Sequence, residues 1–402
     1  MTTLPCLTES TGECQAVAPR PSEHHAPPGS ELRVYLMTMG PGAAVWERFG
    51  HNAIWIDDPS VEPDTVYNYG LFDFRQENFL LRFIRGQMWY WMGGFPAEPH
   101  VQTYVRANRS VWLQELNLPP RARLELREFL RWNERPENRF YHYDYYRDNC
   151  STRVRDALDR ALDGAIRRWA ARPSGVTWRQ DTRRLNQHSP LLYTGLMVAL
   201  GRPVDREMSR WDQMFLPVRL REVMDSITVA DGSRSVVTYT EVYEEGGRFP
   251  EPERPSNWTG WFLGLGVLAG GALAALGRAR TGAARAAFLA IGTLWMLFAG
   301  VLGLVLAWLW TFSSHRVAYE NENVLLFNVL ALALAIVLPG AVRGSVWAGR
   351  PARRLAFAVA ALAVAGLLMK LIPGSQANLD LVALAVPVHL GVALGVSSRA
   401  AA

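Results

Sequence analysis

The stretch Tyr145-Tyr146-Arg147-Asp148-Asn149-Cys150-Ser151-Thr152 decides how this chain is read. An aromatic run of extended character, 140–146, leads into it. After it, Val154, Ala157, Leu158, Ala161 and Leu162 recur at helical spacing. Asp148 and Asn149 are residue types that cap helices, so Cys150 is predicted in the first turn of a helix. The partial positive charge of that terminus is expected to favour thiolate over thiol. Cys150 is the only cysteine beyond residue 14; a disulfide would need Cys6 or Cys14, both in a polar tail.

A nucleophilic thiol needs a base. Upstream lies Arg48-Phe49-Gly50-His51-Asn52-Ala53-Ile54-Trp55-Ile56, with His51 at the start of a short predicted strand over 52–56. A thiol on a helix N-terminus facing an imidazole on a strand is how a thiol nucleophile is built. The segment 57–64 is turn-rich, and 65–70 is the next strand. In a hairpin it would lie beside the first, so that Asn68 reaches the imidazole and fixes its tautomer. A register shifted by one or more residues gives that role to Tyr69 or Asp73 instead. The three remain alternatives on sequence grounds, and Tyr69, Asp73 and Asn149 are also expected to line the substrate side of the site.

Working outward, strands are predicted at 32–37, 111–117 and 236–243, with helices at 78–85 and 120–133. Residues 174–230 read as mainly helical. Met214, Phe215 and Leu216 there read as core, with a lipid-facing lip as the alternative. Residues 1–30 lack apolar periodicity and are expected to be a disordered tail; 244–257 is rich in Glu and Pro and reads as a linker.

The 402 residues carry a formal charge of +5, almost wholly arginine, with Lys370 the single lysine. No basic patch is interleaved with aromatics, which argues against nucleic acid as a partner. From Trp258 onward Ala, Leu, Val and Gly dominate. Five apolar stretches, at 258–276, 286–312, 324–342, 355–372 and 379–396, each approach the roughly 20 residues that cross a bilayer. Arg278, Arg280 and Arg285 follow the first, Arg343, Arg350, Arg353 and Arg354 the third, and Arg399 the last. The positive-inside rule then puts the C-terminus in the cytoplasm and residues 1–257 outside. Residues 1–30 contain no apolar segment typical of a secretion signal, so an export segment ahead of Met1 is expected, with insertion of the first span as an internal anchor the alternative. The outer loops hold His315 and Asn323, read either as ordinary polar connectors or as residues that bind a lipid headgroup beneath the outer domain.

Three motifs together, Gly50-His51-Asn52-Ala53-Ile54-Trp55, Tyr67-Asn68-Tyr69-Gly70-Leu71-Phe72-Asp73-Phe74 and Asp148-Asn149-Cys150-Ser151-Thr152-Arg153, resemble the bacterial lipoprotein N-acyltransferase family called Lnb. The resemblance covers nearly the whole chain from about residue 32, the Ser314-His315 loop included. It implies an α+β fold: a permuted papain-like thiol domain at 31–243, with an antiparallel sheet packed on helices, followed by an all-α five-span bundle at 258–402. Lecithin–retinol acyltransferase is a more distant relative with the same order of histidine strand and cysteine helix. The resemblance also implies location in the bacterial inner membrane with the first domain periplasmic. The implied activity is acyl transfer from a lipid ester, through a thioester on Cys150, to the N-terminal cysteine amine of a lipoprotein. His51 is the implied base. The partners would be a diacylated lipoprotein and a membrane phospholipid.

No metal or cofactor is called for: the chain has no zinc-ligand spacing and no glycine-rich phosphate loop. Two other readings compete. A cell-wall amidase or peptidase would use the same Cys–His pair but needs only an anchor. A non-enzymatic sensor would leave that pair unexplained.

Overall fold

The computed structural model describes residues 26–229, 232–246 and 252–400. The expected tail lies outside the described residues as far as residue 25. From Pro27 to Ser30 the chain is an ordered turn, contrary to expectation. Gly29 is buried there at φ +91°, where a Cβ would meet the Pro120 carbonyl oxygen at 2.3 Å.

Nine strands are described: β1 (Arg33–Met39), β2 (His51–Asp57), β3 (Thr65–Leu71), β4 (Trp89–Pro96), β5 (Val111–Leu116), β6 (Phe140–His142), β7 (Pro173–Thr177), β8 (Glu207–Ser209) and β9 (Val236–Tyr243). Seven form one antiparallel sheet in the order β6-β4-β3-β2-β1-β5-β9, and β7 pairs with β8 separately. The helices of this half are α1 (Phe79–Arg85), α2 (Ala97–Arg106), α3 (Pro120–Glu134), α4 (Cys150–Ala161), α5 (Ala165–Ala170), α6 (Trp178–Asn186), α7 (Pro190–Ala199), α8 (Arg210–Gln213) and α9 (Pro217–Met224).

Alternation along the central strands assigns side chains to two faces. Leu36, Ile54, Tyr67 and Tyr69 pack with Leu126 of α3 and Val154 and Leu158 of α4. Met37, Met39, Ala53 and Val66 pack with Ala97 and Val101 of α2 on the other face. β4 and α2 were not foreseen. The run Met92-Gly93-Gly94-Phe95-Pro96 carries breaker residues, yet it pairs with β3; β6 covers only Trp89–Trp91, so this run lies on the sheet's edge, where such residues are tolerated. The expected strand over 140–146 stops at His142. Asp144 then accepts the backbone N–H groups of Tyr146 and Arg147 at 3.0 Å each, turning the chain toward α4.

The second half contains α10 (Thr259–Arg278), α11 (Gly282–Phe312), α12 (Asn323–Leu326), α13 (Leu330–Val342), α14 (Val346–Leu368) and α15 (Leu379–Ala400). Five segments are long and apolar enough to span a membrane: Thr259–Arg278, Gly282–Phe312, Asn323–Val342, Trp347–Leu371 and Leu379–Ser398. The fold is thus an antiparallel sheet domain with helices, followed by five membrane-length helices. The fourth helix starts well before the expected 355, because its arginines lie on its first turns. α10 and α15 meet backbone to backbone: a Cβ at Gly270 would lie 2.1 Å from the Pro387 carbonyl oxygen, and one at Gly391 2.1 Å from that of Gly270. Small residues let helices approach this closely in a membrane, where packing replaces hydrophobic drive.

The two halves share one core. Tyr193, Met197, Leu200 and Phe215 are buried in the same cluster as Leu326, Leu334 and Leu381. Met214, Phe215 and Leu216 are core, not a lip. Amide side chains from the membrane half hold the end of α7. Asn321 and Asn323 donate to the Val198 carbonyl at 2.8 and 3.0 Å, and Gln376 donates to that of Leu200 at 2.9 Å. Arg179 is buried and donates to Asp205 at 2.6 Å and to the Gly201 carbonyl at 2.8 Å. The carbonyls at this junction are thus capped and its buried charge is paired. The expected linker is tied in too, with Ser256 N–H donating to Gln187 at 2.8 Å.

Candidate active site

Cys150 is the first residue of α4, and Asn149 is its cap. The Asn149 side-chain oxygen accepts from Thr152 N–H at 2.9 Å, and Thr152 Oγ1 accepts from Asn149 N–H at 2.8 Å. This reciprocal pair satisfies two otherwise orphaned donors and fixes where the helix begins. The Asn149 amide donates to the carbonyls of Tyr145 and Phe215 at 2.9 and 3.0 Å. Asn149 is therefore a buried cap rather than a substrate contact. Asp148 is held by an ion pair with Arg153.

Ser151 fastens the helix to β2. Its hydroxyl accepts from the Asn52 amide at 3.0 Å and donates to the Met214 carbonyl at 2.7 Å. Gly70, at the corresponding end of β3, makes room for the thiol residue. A Cβ there would meet Cys150 Cβ at 3.3 Å and the Tyr141 hydroxyl at 3.9 Å. The backbone N–H groups of Asn52, Ser151 and Cys150 all act on the Cys150 sulfur in the sense that favours its anion.

His51 opens β2. Its Nε2 lies 2.9 Å from Asn68 Oδ1. The register explains the partner: Ala53 sits opposite Asn68, so His51 and Asn68 are a diagonal pair on one face. With the amide so oriented, Nε2 carries the proton and Nδ1 is left as the basic nitrogen. Tyr69 is excluded by the same alternation. It points to the opposite face, where its hydroxyl donates to Asn133 at 2.7 Å, so it is neither the third residue nor a substrate contact. Asp73 lies past the strand end and is paired with Arg75 at 3.1 Å, away from the imidazole's hydrogen bond.

Among the described residues, the hydrogen bond of the His51 ring goes to Asn68, and none joins it to the thiol. Nor does the helix terminus yield a standing thiolate. Burial pushes the Cys150 thiol up to about 11, outweighing the N–H groups and Arg109 that pull it down. Burial likewise lowers His51 to about 3, helped by the positive charge of Arg109 and opposed by the Asn68 hydrogen bond. The resting pair is a neutral thiol and a neutral imidazole.

Arg109 and Tyr104 were not picked out in the sequence. The Tyr104 ring stacks against His51 with centroids 6.3 Å apart, and the Arg109 guanidinium lies 4.8 Å over Tyr104. Arg109 is buried, donates to the Gly40 carbonyl at 2.9 Å and pairs with Glu47 at 3.5 Å. It acts electrostatically on both His51 and Cys150. No local pattern marks these residues; only α2 and β5 folding onto the sheet brings them in. Among the described residues, Asn52 Oδ1, Asn68 Nδ2 and the Tyr141 hydroxyl are buried with no hydrogen-bond partner. Orphaned polar atoms are rare in native interiors, and three of them adjoin this site.

His315 and Asn323 both make hydrogen bonds to the first half of the chain. His315 Nε2 lies 2.7 Å from the Phe83 carbonyl oxygen, and the ring sits against Gly86. Asn323 is fully buried, donating to Met197 and Val198 carbonyls and accepting from Asn378 at 2.7 Å. Its hydrogen-bonding groups are spent within the junction, which leaves none for a headgroup.

No curated protein and no solved structure matches the chain. Residues 25–187 match the Lnb N-terminal periplasmic domain, a range that holds His51, Asn68 and Cys150. Residues 272–390 match the Lnb transmembrane domain. With both domains present and in that order, this chain is a member of the Lnb family.

Proposed function

We propose that this protein is an inner-membrane acyltransferase that moves a fatty acyl group from a lipid ester, through a thioester on Cys150, to the N-terminal cysteine amine of bacterial lipoproteins. The observation that carries this reading is the His51–Asn68 pair at 2.9 Å beside a thiol that heads a helix and is faced by three backbone N–H groups. The five membrane-length helices favour a lipid substrate over peptidoglycan, since an amidase needs only one anchor. The arginines that follow the first, third and last spans support a cytoplasmic C-terminus with the first domain in the periplasm.

The chemistry follows from neutral partners. Substrate binding brings thiol, imidazole and ester carbon together, and catalytic hydrogen bonds commonly tighten only at this stage. His51 Nδ1 takes the thiol proton as Cys150 Sγ bonds to the ester carbonyl carbon. The carbonyl π electrons move to oxygen, and the resulting oxyanion is stabilised by N–H groups of Cys150, Ser151 or Asn52 and by the Tyr141 hydroxyl. The carbonyl re-forms, the C–O bond to glycerol breaks, and His51 returns its proton to that oxygen. The lipoprotein amine next attacks the thioester carbon and gives up a proton to His51. The C–S bond breaks, the amide is left on the lipoprotein, and the thiol is reprotonated. Asn68 holds the imidazole in the tautomer that both steps require.

The test is mass spectrometry of lipoprotein N-termini in cells with the wild-type chain, with Cys150→Ser, with His51→Ala, and with none. Acylated amines should appear with wild type alone, while both variants still reach the membrane. Free amines in cells carrying the wild type, or full acylation by Cys150→Ser, would reject the reading.

A further inference from the structure

We propose that the exposed face of α1 sits in the outer leaflet of the membrane, and that the aromatic rings behind it form the path by which a lipid acyl chain reaches Cys150. This rests on the acyl-transfer reading and names the route of its substrate.

α1 is Phe79-Leu80-Leu81-Arg82-Phe83-Ile84-Arg85. Leu80 is 67% exposed, Leu81 45%, Phe83 53% and Ile84 39%. Four large apolar side chains bared on a helix of two turns form a patch that water-facing surfaces seldom leave uncovered. The position of the helix names the covering medium. Ser314 N–H donates to the Arg85 carbonyl at 2.8 Å, and the His315 ring meets the Phe83 carbonyl at 2.7 Å. α1 is therefore fastened to the residues just after α11, whose last residue, Phe312, is 72% exposed. A seven-residue helix is about 10 Å long, so its apolar face lies close to where that span leaves the bilayer. The patch continues the lipid-facing surface of the spans, with Arg82 and Arg85 able to run their charges to the headgroups. A second copy of the chain would not explain why the patch hangs from a span end.

Behind the patch the rings are continuous. Phe83 and Phe79 are 6.3 Å apart, Phe79 and Phe74 5.2 Å, Phe74 and Phe72 4.8 Å, and Phe72 and Tyr90 5.2 Å. Tyr90 and Cys150 pack against the same buried cluster. Phe74 is 56% exposed and Phe72, Phe79 and Tyr90 are half-buried, so the track opens to the surface at Phe74. An apolar, partly open track from the bilayer surface to a thiol suits an acyl chain whose head stays at the interface.

The experiment uses the full chain in phosphatidylcholine vesicles containing a phospholipid with a diazirine in its acyl chain. After irradiation, peptide mass spectrometry should find lipid adducts on residues 79–85 and on Phe72 or Phe74. In the variant Leu80→Ser/Leu81→Ser/Phe83→Ser, transfer from a bilayer-embedded donor should fall at least tenfold more than turnover of a water-soluble short-chain thioester. Adducts confined to the spans, or α1 cross-linked to protein in place of lipid, would overturn the proposal, as would equal losses on both substrates. Labelling needs no turnover, so its failure is separable from a failure of acyl transfer, which the lipoprotein mass spectra read.

Discussion

At the scale of single residues, the site is governed by burial more than by the helix terminus. A folded-state thiol pushed up to about 11 is protonated at neutral pH, so thiolate is scarce until the pH climbs toward that value. Alkylation of Cys150 by iodoacetamide should thus rise about tenfold per pH unit between pH 7 and pH 10 and level off near 11. Following the Cys150 peptide by mass spectrometry separates it from Cys6 and Cys14. A rate already flat at pH 7 would reveal a standing thiolate and contradict the neutral pair. Tyr141 offers a second test. Its hydroxyl is buried, unpartnered and close to Cys150. Tyr141→Phe should slow acyl transfer on the order of 10²-fold, the usual effect of losing one oxyanion donor. The alkylation profile of Cys150 should change little. An unchanged transfer rate would remove Tyr141 from the mechanism.

At the scale of elements, strand alternation chooses the partner of His51, and small residues choose the partner of α10. Gly270 and Gly271 are neighbours in sequence with opposite surroundings. A Cβ on Gly270 collides with the Pro387 carbonyl at 2.1 Å, whereas one on Gly271 meets nothing within 4 Å. Gly270→Leu should destabilise the protein in detergent by about 3 kcal/mol or prevent its recovery, since overpacked contacts force the backbone apart. Gly271→Leu should leave the melting midpoint within a degree or two. Equal midpoints for the two variants would mean that α10 and α15 do not close on each other as described.

At the scale of the whole molecule, the sheet domain and the spans are not separable at the expected linker. A fragment ending near Arg254 would leave the α7 carbonyls of Met197, Val198 and Leu200 without the amides of Asn321, Asn323 and Gln376. It would also bare Tyr193, Met197 and Leu200, which are buried against the spans. An unpartnered buried group costs about 1–3 kcal/mol, so the loss is spread over a large part of the domain's stability. In such a fragment, α6 and α7 should be cleaved by protease and exchange amide protons faster than β1, β2 and β3. In the full chain the two regions should be protected alike. Equal protection of α6–α7 and the sheet in the fragment would show two independent halves.

Local pattern was enough for several of these features. Capping residues ahead of a helical period located the start of α4, and the alternating runs around His51 and Asn68 located β2 and β3. Long apolar stretches gave the five spans, because bilayer thickness is a constraint that composition reports directly. Other features depended on residues far apart in sequence. β4 was hidden by Gly93, Gly94 and Pro96, whose local preference is overruled by pairing with β3. The choice of Asn68 over Tyr69 or Asp73 needed the register, in which a shift of one residue reverses every side chain. Arg109, Tyr104 and Tyr141 meet the thiol or the imidazole only after β5, α2 and β6 are in position. The protonation state of Cys150 depends on the same contrast. A helix terminus is a local property visible in sequence, whereas desolvation is set by everything packed around the sulfur, and only the tertiary structure decides that.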